Sequence, residues 1–372
     1  MLLPLGLWMG LLPGCASRPR ADTPEAVTSD QNPARVVRPG RPQSPPPAAP
    51  APASAAAPGV SFTQQWAPIQ SWARTQGFGA PKRLSGETQP GYALTTPKGV
   101  LTTRAGSHFA DWNGMEVCLG FAPRIIDGRF CLNALDLQKT VQPLMDGFSG
   151  FRGRTRPIIV IDAGHGGDDA GTRSVLDRRC EKEFTLDWAL RLRALLLTNG
   201  WRVYLTRSND ATLSISNRVL ISEERRADLF VSLHFNSSAP NQAESGLETY
   251  CLTPTGMPSN LTRGFLDDTS LSFPNNHFDM QNFQLALLAH RSLLRVNGNH
   301  DRGVRRARFP GVLRGQNRPA ILLEGGFLSN PKEAALIATP AYRQKLAEAL
   351  ALALGGCFKP APESVQPVSA RN

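Results

Sequence analysis

Four residues stand out for the chemistry that their types and placement allow: His165, Glu181, His234 and Glu324. His165 lies in Asp162-Ala-Gly-His-Gly-Gly, just after the apolar run Ile158-Ile-Val-Ile. His234 closes a second run, Asp228-Leu-Phe-Val-Ser-Leu-His. A strand that gives way to a loop at a histidine presents an imidazole at the sheet edge, and in open α/β sheets ligands bind at that edge. Glu181 opens a helical pattern, so its carboxylate lies in the first turn and can point the same way. Two imidazoles and a carboxylate match a catalytic zinc site with a fourth position left open. Glu324 ends a further apolar run, Ala320-Ile-Leu-Leu-Glu-Gly-Gly. A carboxylate placed there is costly unless paired or used. Beside a metal centre it can take a proton from water and return it to a leaving amine.

Each of these residues has a plainer reading. A glutamate in a first turn is favoured by the helix dipole. A lone histidine at a strand end can be a satisfied, partly buried side chain, and Glu324 can form an ion pair with an arginine such as Arg314. His277 is a rival metal ligand, but no strand end fixes it. Arg207 follows the strand-like Trp201–Thr206, and Asn236 lies two residues past His234. Both are candidates for substrate contact, with a surface ion pair as the competing reading of Arg207.

The elements that must position these residues read as α/β, with a mainly parallel sheet flanked by helices. Strands are expected over 158–161, 201–206, 228–234, 246–252 and 320–323. Helices are expected from 181 and over 214–226, 283–296 and 341–354. Pro258, Pro274 and weak periodicity make 253–283 a loop. Before residue 150 the composition changes. Residues 60–150 read as a small β-rich domain, with hairpin turns at Asn113-Gly114 and Asp127-Gly128. Residues 16–59 are dominated by Pro, Ala, Ser and Arg and read as a disordered linker. Residues 1–15 are apolar and end in Leu-Pro-Gly-Cys, which reads as an export signal with Cys15 in a lipobox, hence a lipid anchor. The folded catalytic region is expected over 154–356, with a tail over 357–372. The formal charge is +11 over 372 residues, but the basic residues are scattered, so nucleic acid is not expected as a partner. The cysteines show no CxxC pattern, and Cys118 and Cys131 are the nearest plausible disulfide pair.

Five segments in order, IVIDAGHGGDDAG, the helix from Glu181, VSLHFNS, GLETY and ILLEGGFLSNPKE, closely resemble the zinc-dependent N-acetylmuramoyl-L-alanine amidases of the type 3 family. The resemblance covers about 157–354. It implies Zn2+ on His165, Glu181 and His234, with Glu324 as the catalytic carboxylate. It also implies hydrolysis of the amide between the lactyl group of N-acetylmuramic acid and L-alanine in peptidoglycan. Two departures are Ala163, where the family often has Pro, and Gly325, where a polar or β-branched residue is common. Some relatives insert an inhibitory helix between the second His and the catalytic Glu, so a protein activator stays open; a substrate-facing loop is expected here. Residues 85–148 loosely resemble a copper amine oxidase-like N-terminal domain, implying a substrate-positioning module, with a spacer as the alternative. The expected location is the periplasm, tethered to the outer membrane. Two other readings stay open: a non-catalytic peptidoglycan-binding or regulatory protein on an amidase fold, and a zinc peptidase cutting within the stem.

Overall fold

The computed structural model describes residues 65–357, apart from 87, 149, 151–155 and 297. The lipobox with Cys15 and the linker over 16–59 lie outside the described residues. Short strands come first: β1 (Trp66–Pro68), β2 (Lys82–Arg83), β3 (Gly91–Thr96), β4 (Gly99–Arg104), β5 (Phe109–Trp112), β6 (Glu116–Cys118), β7 (Arg124–Ile126) and β8 (Arg129–Asn133). The two expected hairpin turns are present. Asn113 and Gly114 have φ of 54° and 78°, and Asp127 and Gly128 have 48° and 71°. Positive φ at both central residues matches the twist of the flanking strands, and Asn, Asp and Gly tolerate it best.

Six longer strands follow: β9 (Ile158–Ala163), β10 (Arg202–Leu205), β11 (Leu229–Asn236), β12 (Leu247–Leu252), β13 (Asp301–Ala307) and β14 (Ala320–Phe327). The large sheet runs β10-β9-β11-β14-β12-β13-β6-β5-β4-β3-β2. From β10 to β14 all neighbours are parallel, and β12 then joins β14 antiparallel. Side chains of β9 alternate between two cores. Ile159, Ile161 and Ala163 pack with Phe184, Trp188, Leu192, Leu346 and Leu350 of the helices Glu181–Thr198 and Pro340–Gly355. Ile158 and Val160 pack on the other face with Phe230, Tyr250, Leu313 and Leu322. Both faces are covered, which is why β9, β11 and β14 read as continuous apolar runs.

The segment read as a small β-rich domain is joined edge-on to this sheet. Val117 of β6 pairs in parallel with Val304 of β13. The Glu116 amide donates to Asp301 Oδ2 at 2.7 Å, and Asn260 Nδ2 to the Leu119 carbonyl at 2.8 Å. Arg306 is buried across the junction, donating to Thr140 Oγ1 at 2.7 Å and to the Lys139 carbonyl, with Phe283 stacked on its guanidinium at 4.4 Å. One hydrophobic cluster runs from Leu94 and Trp112 through Val304 and Phe283 to Leu350.

The loop expected over 253–283 holds only as far as residue 273: a short 3-10 helix, Pro274–Phe278, follows, with Pro274 in its first turn rather than breaking it. The following helix, Asp279–Leu294, starts a turn earlier than the apolar periodicity suggested. Cys118 and Cys131 are not bridged, and both are buried free thiols on strands of different sheets. No helix among the described residues is long and apolar enough to cross a membrane.

Candidate active site

The site is built at the exit of β9. Asp162 is fully buried there. Burial alone would raise its pKa, but the Arg218 ion pair at 2.6 Å and hydrogen bonds from Ser232 and Thr206, both at 2.7 Å, hold it below the usual carboxylate range. Arg218 also donates to the carbonyls of Ala163 at 2.9 Å and His165 at 2.7 Å. The chain then turns through His165 at φ 61°. That left-handed conformation is uncommon outside glycine and persists only where the surroundings enforce it. Arg207 supplies much of the enforcement. Its guanidinium donates to the carbonyls of Ala163 at 2.9 Å, Gly164 at 2.8 Å and Lys182 at 2.8 Å.

Arg207 therefore braces the loop rather than facing a substrate. It is 4% exposed and lies outside the described residues that line the cavity. Arg207→Ala would remove three charge-assisted hydrogen bonds to carbonyls, leaving Ala163 with Arg218 and Gly164 with Thr185 as remaining donors, and a loss of about 3 kcal/mol of stability is expected. Urea unfolding checks this; a rise in KM at unchanged stability would restore the substrate-contact reading.

His165, Glu181 and His234 converge. His165 Nε2 lies 3.1 Å from Glu181 Oε2, and His234 Nδ1 lies 3.0 Å from Glu181 Oε1. The two rings stand edge to face at 84°, with centroids 4.9 Å apart. One donor atom from each of the three residues falls within 4.8 Å of the others. Zinc bound to nitrogen and oxygen at roughly 2.1 Å would hold neighbouring ligand atoms about 3.4 Å apart. The two Glu181–histidine contacts are tenths of an ångström shorter than that and the three donors all lie within 4.8 Å, so small side-chain rotations would bring the set onto one ion. Glu181 is oriented by the amides of Thr172 and Phe235, each 3.0 Å from one of its oxygens. His165 Nδ1 meets Asp169 Oδ1 at 2.9 Å, an outer contact that fixes the ring. Burial opposes charge on His165, but Glu181 and Asp169 outweigh it and raise its pKa to about 9. Burial likewise opposes charge on Glu181, yet the two rings hold it well below the carboxylate range. The site thus binds protons that a metal ion would displace.

Gly164 and Gly171 let these side chains meet. A Cβ on Gly164 would lie 2.3 Å from His234 Cε1, and one on Gly171 2.6 Å from both Glu181 Oε2 and His165 Cδ2. Gly164→Ala must push the His234 ring aside. A 10- to 100-fold loss of metal affinity is expected, on the scale of losing a group that orients a ligand. Competition with a chromogenic chelator reads it.

Glu324 sits opposite His234 in the β11–β14 register and opposite Glu248 in the β12–β14 register. The two glutamates differ sharply. Glu248 accepts from Asn236 Nδ2 and the Tyr250 hydroxyl, both at 2.7 Å, and from Arg302 Nε at 2.8 Å. Glu324 is 4% exposed, and its Oε2 has no hydrogen-bond partner among the described residues. Burial drives its pKa well above the usual range; Arg263, 3.7 Å away, opposes this, while Glu181 and Glu248 add to it. A buried carboxylate oxygen without a partner, beside a cluster that could hold a metal ion, is a candidate to serve a reacting group. Glu324, the metal ligands, Asn236 and Arg263 line one cavity of about 350 Å³.

Sequence reasoning named His165, Glu181, His234 and Glu324, all four of which the fold brings to one cavity. It missed Asp169, whose signal was the spacing of four from His165, and Glu248, which resembled any strand residue. It also missed Arg263, which carries no periodic signal within its loop. Asn236 lines the cavity, and its Oδ1 accepts from Arg263 at 2.8 Å. His277 lies apart, in another cavity with Lys139, Thr255 and Asp279.

Residues 159–355, more than half of the chain, match the family described as N-acetylmuramoyl-L-alanine amidase. The chain belongs to this family. It is 30% identical over 249 residues to the N-acetylmuramoyl-L-alanine amidase AmiC of Escherichia coli, covering 61% of this chain and 59% of that one. With AmiC of Neisseria meningitidis the identity is 32% over 223 residues, covering 54% of this chain and 52% of the relative. The chain thus spans less than two thirds of the length of either amidase. The catalytic domain of CwlV from Bacillus (Paenibacillus) polymyxa is 31% identical, covers 54% of this chain and 97% of its own, and superposes with a TM-score of 0.45.

Proposed function

We propose that this chain hydrolyses the amide between the lactyl group of N-acetylmuramic acid and the L-alanine of peptidoglycan. The observation that carries this is the His165–Glu181–His234 cluster with the unpartnered Glu324 beside it, in a member of the amidase family. The donor set suits zinc. Zinc held by these three residues would supply Lewis acidity, polarising the amide carbonyl and lowering the pKa of a water. Glu324 accepts the proton of the attacking water and delivers it to the alanine nitrogen as the C–N bond breaks. Its buried setting strengthens its hold on that proton until the amine leaves. Asp169 fixes the His165 ring, and Asn236 ties Glu248 to Arg263.

The same reading takes the protein to the cell wall: exported, lipid-modified at Cys15, and facing the periplasm from the outer membrane. The apolar run before Cys15 and the Pro-rich segment after it support this.

Mass spectrometry of purified peptidoglycan digested by the full chain tests the reaction. Whole stem peptides with free L-alanine amino groups, and intact glycan strands, are expected. Shortened stems would mean a peptidase. Binding to peptidoglycan without any release would mean a non-catalytic protein on this fold.

A further inference from the structure

Arg263 enters the cavity from the loop after β12, at φ 46°. Its hydrogen bond among the described residues goes from one terminal nitrogen to Asn236 Oδ1 at 2.8 Å. Phe309 lies under the guanidinium at 4.8 Å, and Glu324 stands 3.7 Å away, beyond hydrogen-bond length. A guanidinium carries five N–H donors in a planar fork. Most of this fork is left for something in the cavity, and its side chain is 39% exposed. Arg218, the other arginine lining the cavity, is occupied by Asp162 and the carbonyls of Ala163 and His165. Among the described residues the cavity therefore presents one cation that is backed by an aromatic ring, positioned by Asn236 and open to a ligand.

A planar cation with unused paired donors is matched best by a carboxylate, bound in bidentate fashion. The position of Glu324 says which carboxylate. Glu324 must come within about 3 Å of the leaving nitrogen. A carboxylate about 2.8 Å from Arg263 then lies within roughly 9 Å of that nitrogen. An extended chain advances about 3.6 Å per residue, so in an extended leaving peptide the first two residues fall in range. In a peptidoglycan stem the first is alanine, whose carboxyl is tied up in an amide. The second is a γ-linked D-glutamate whose α-carboxylate is free or amidated.

We propose that Arg263 recognises the free α-carboxylate of the second stem residue, making the enzyme selective for stems that are not amidated there. This rests on the amidase reading. The test is calorimetric titration of the zinc-loaded full chain with two stem tripeptides, one carrying γ-linked D-glutamate and the other its α-carboxamide. The acid is expected to bind at least 10-fold more tightly, with the advantage shrinking as salt rises. Arg263→Gln should weaken the acid to the level of the amide, and Arg263→Lys should retain part of the preference. Equal binding of both peptides by the parent, no binding of either, or equal weakening of both by Arg263→Gln would overturn the proposal. Hydrolysis is read separately. A binding preference without cleavage would sink the amidase reading and leave the recognition; cleavage without preference would do the reverse.

Discussion

Glu324→Gln is expected to lower hydrolysis of the muramoyl–alanine amide by about 10³-fold while the metal centre stays filled. Glutamine keeps the shape and removes the proton acceptor. Glu324 touches none of the groups that orient the ligands, since Glu181 is held by Thr172 and Phe235, and His165 by Asp169. Stability should change by less than about 1 kcal/mol, because a buried carboxyl whose charge is opposed by desolvation loses little when made neutral. Steady-state kinetics, metal analysis and thermal unfolding of one preparation read all three quantities. The pH profile adds a sign. The base must be ionised to accept the first proton, so activity falls as pH drops through its pKa. Burial raises that pKa, and the charge of a bound metal ion would lower it, so the acidic limb of kcat/KM should move to lower pH as metal is loaded. Activity within 10-fold of the parent in Glu324→Gln would remove this residue from the proton transfers.

His165→Ala is expected to abolish both metal binding and activity. Two protein ligands remain, and the loss should exceed the roughly 100-fold seen when a mere orienting group is removed. Glu181 would also lose one of the two rings that keep it ionised. Its side chain would then be a buried carboxylate with less compensation, so stability should fall as well. Metal content after dialysis against a weak chelator, with the urea midpoint, measures both. Parental metal content in this variant would mean that the ion sits elsewhere.

Much of the catalytic half was legible in the sequence because its strands are buried on both faces. Ile158–Ile161 and Ala320–Leu323 could only be interior strands, and the change from apolar run to glycine marked the edge where side chains meet ligands. His165 and Glu324 stand at such a change, His234 stands near the end of its strand, and Glu181 stands in the first turn of a helix. Strand β13 was not legible. Asp301-Arg-Gly-Val-Arg-Arg-Ala looks solvated, and Arg306 becomes a core residue only because Thr140 and the Lys139 carbonyl, far away in sequence, accept its protons. The same pairing joins the β-rich segment to the main sheet, so that junction was hidden too. Arg207 carried two readings, substrate contact and surface ion pair, and neither foresaw the carbonyls it braces. A cation just past a strand end looks like a substrate contact until the carbonyls it braces are seen. Arg263 had no local signal, and its role follows from a loop conformation and two neighbours, Asn236 and Phe309, contributed by other parts of the chain.

The most direct measurement is a zinc titration of the metal-stripped full chain, counting new L-alanine amino termini released from purified peptidoglycan. Release should be absent without metal, rise with zinc and level off at one equivalent per chain, with whole stems as the only soluble product. Release that persists in the stripped protein, or a zinc-filled protein that frees no L-alanine termini, would contradict a metal-centred amidase built on His165, Glu181, His234 and Glu324.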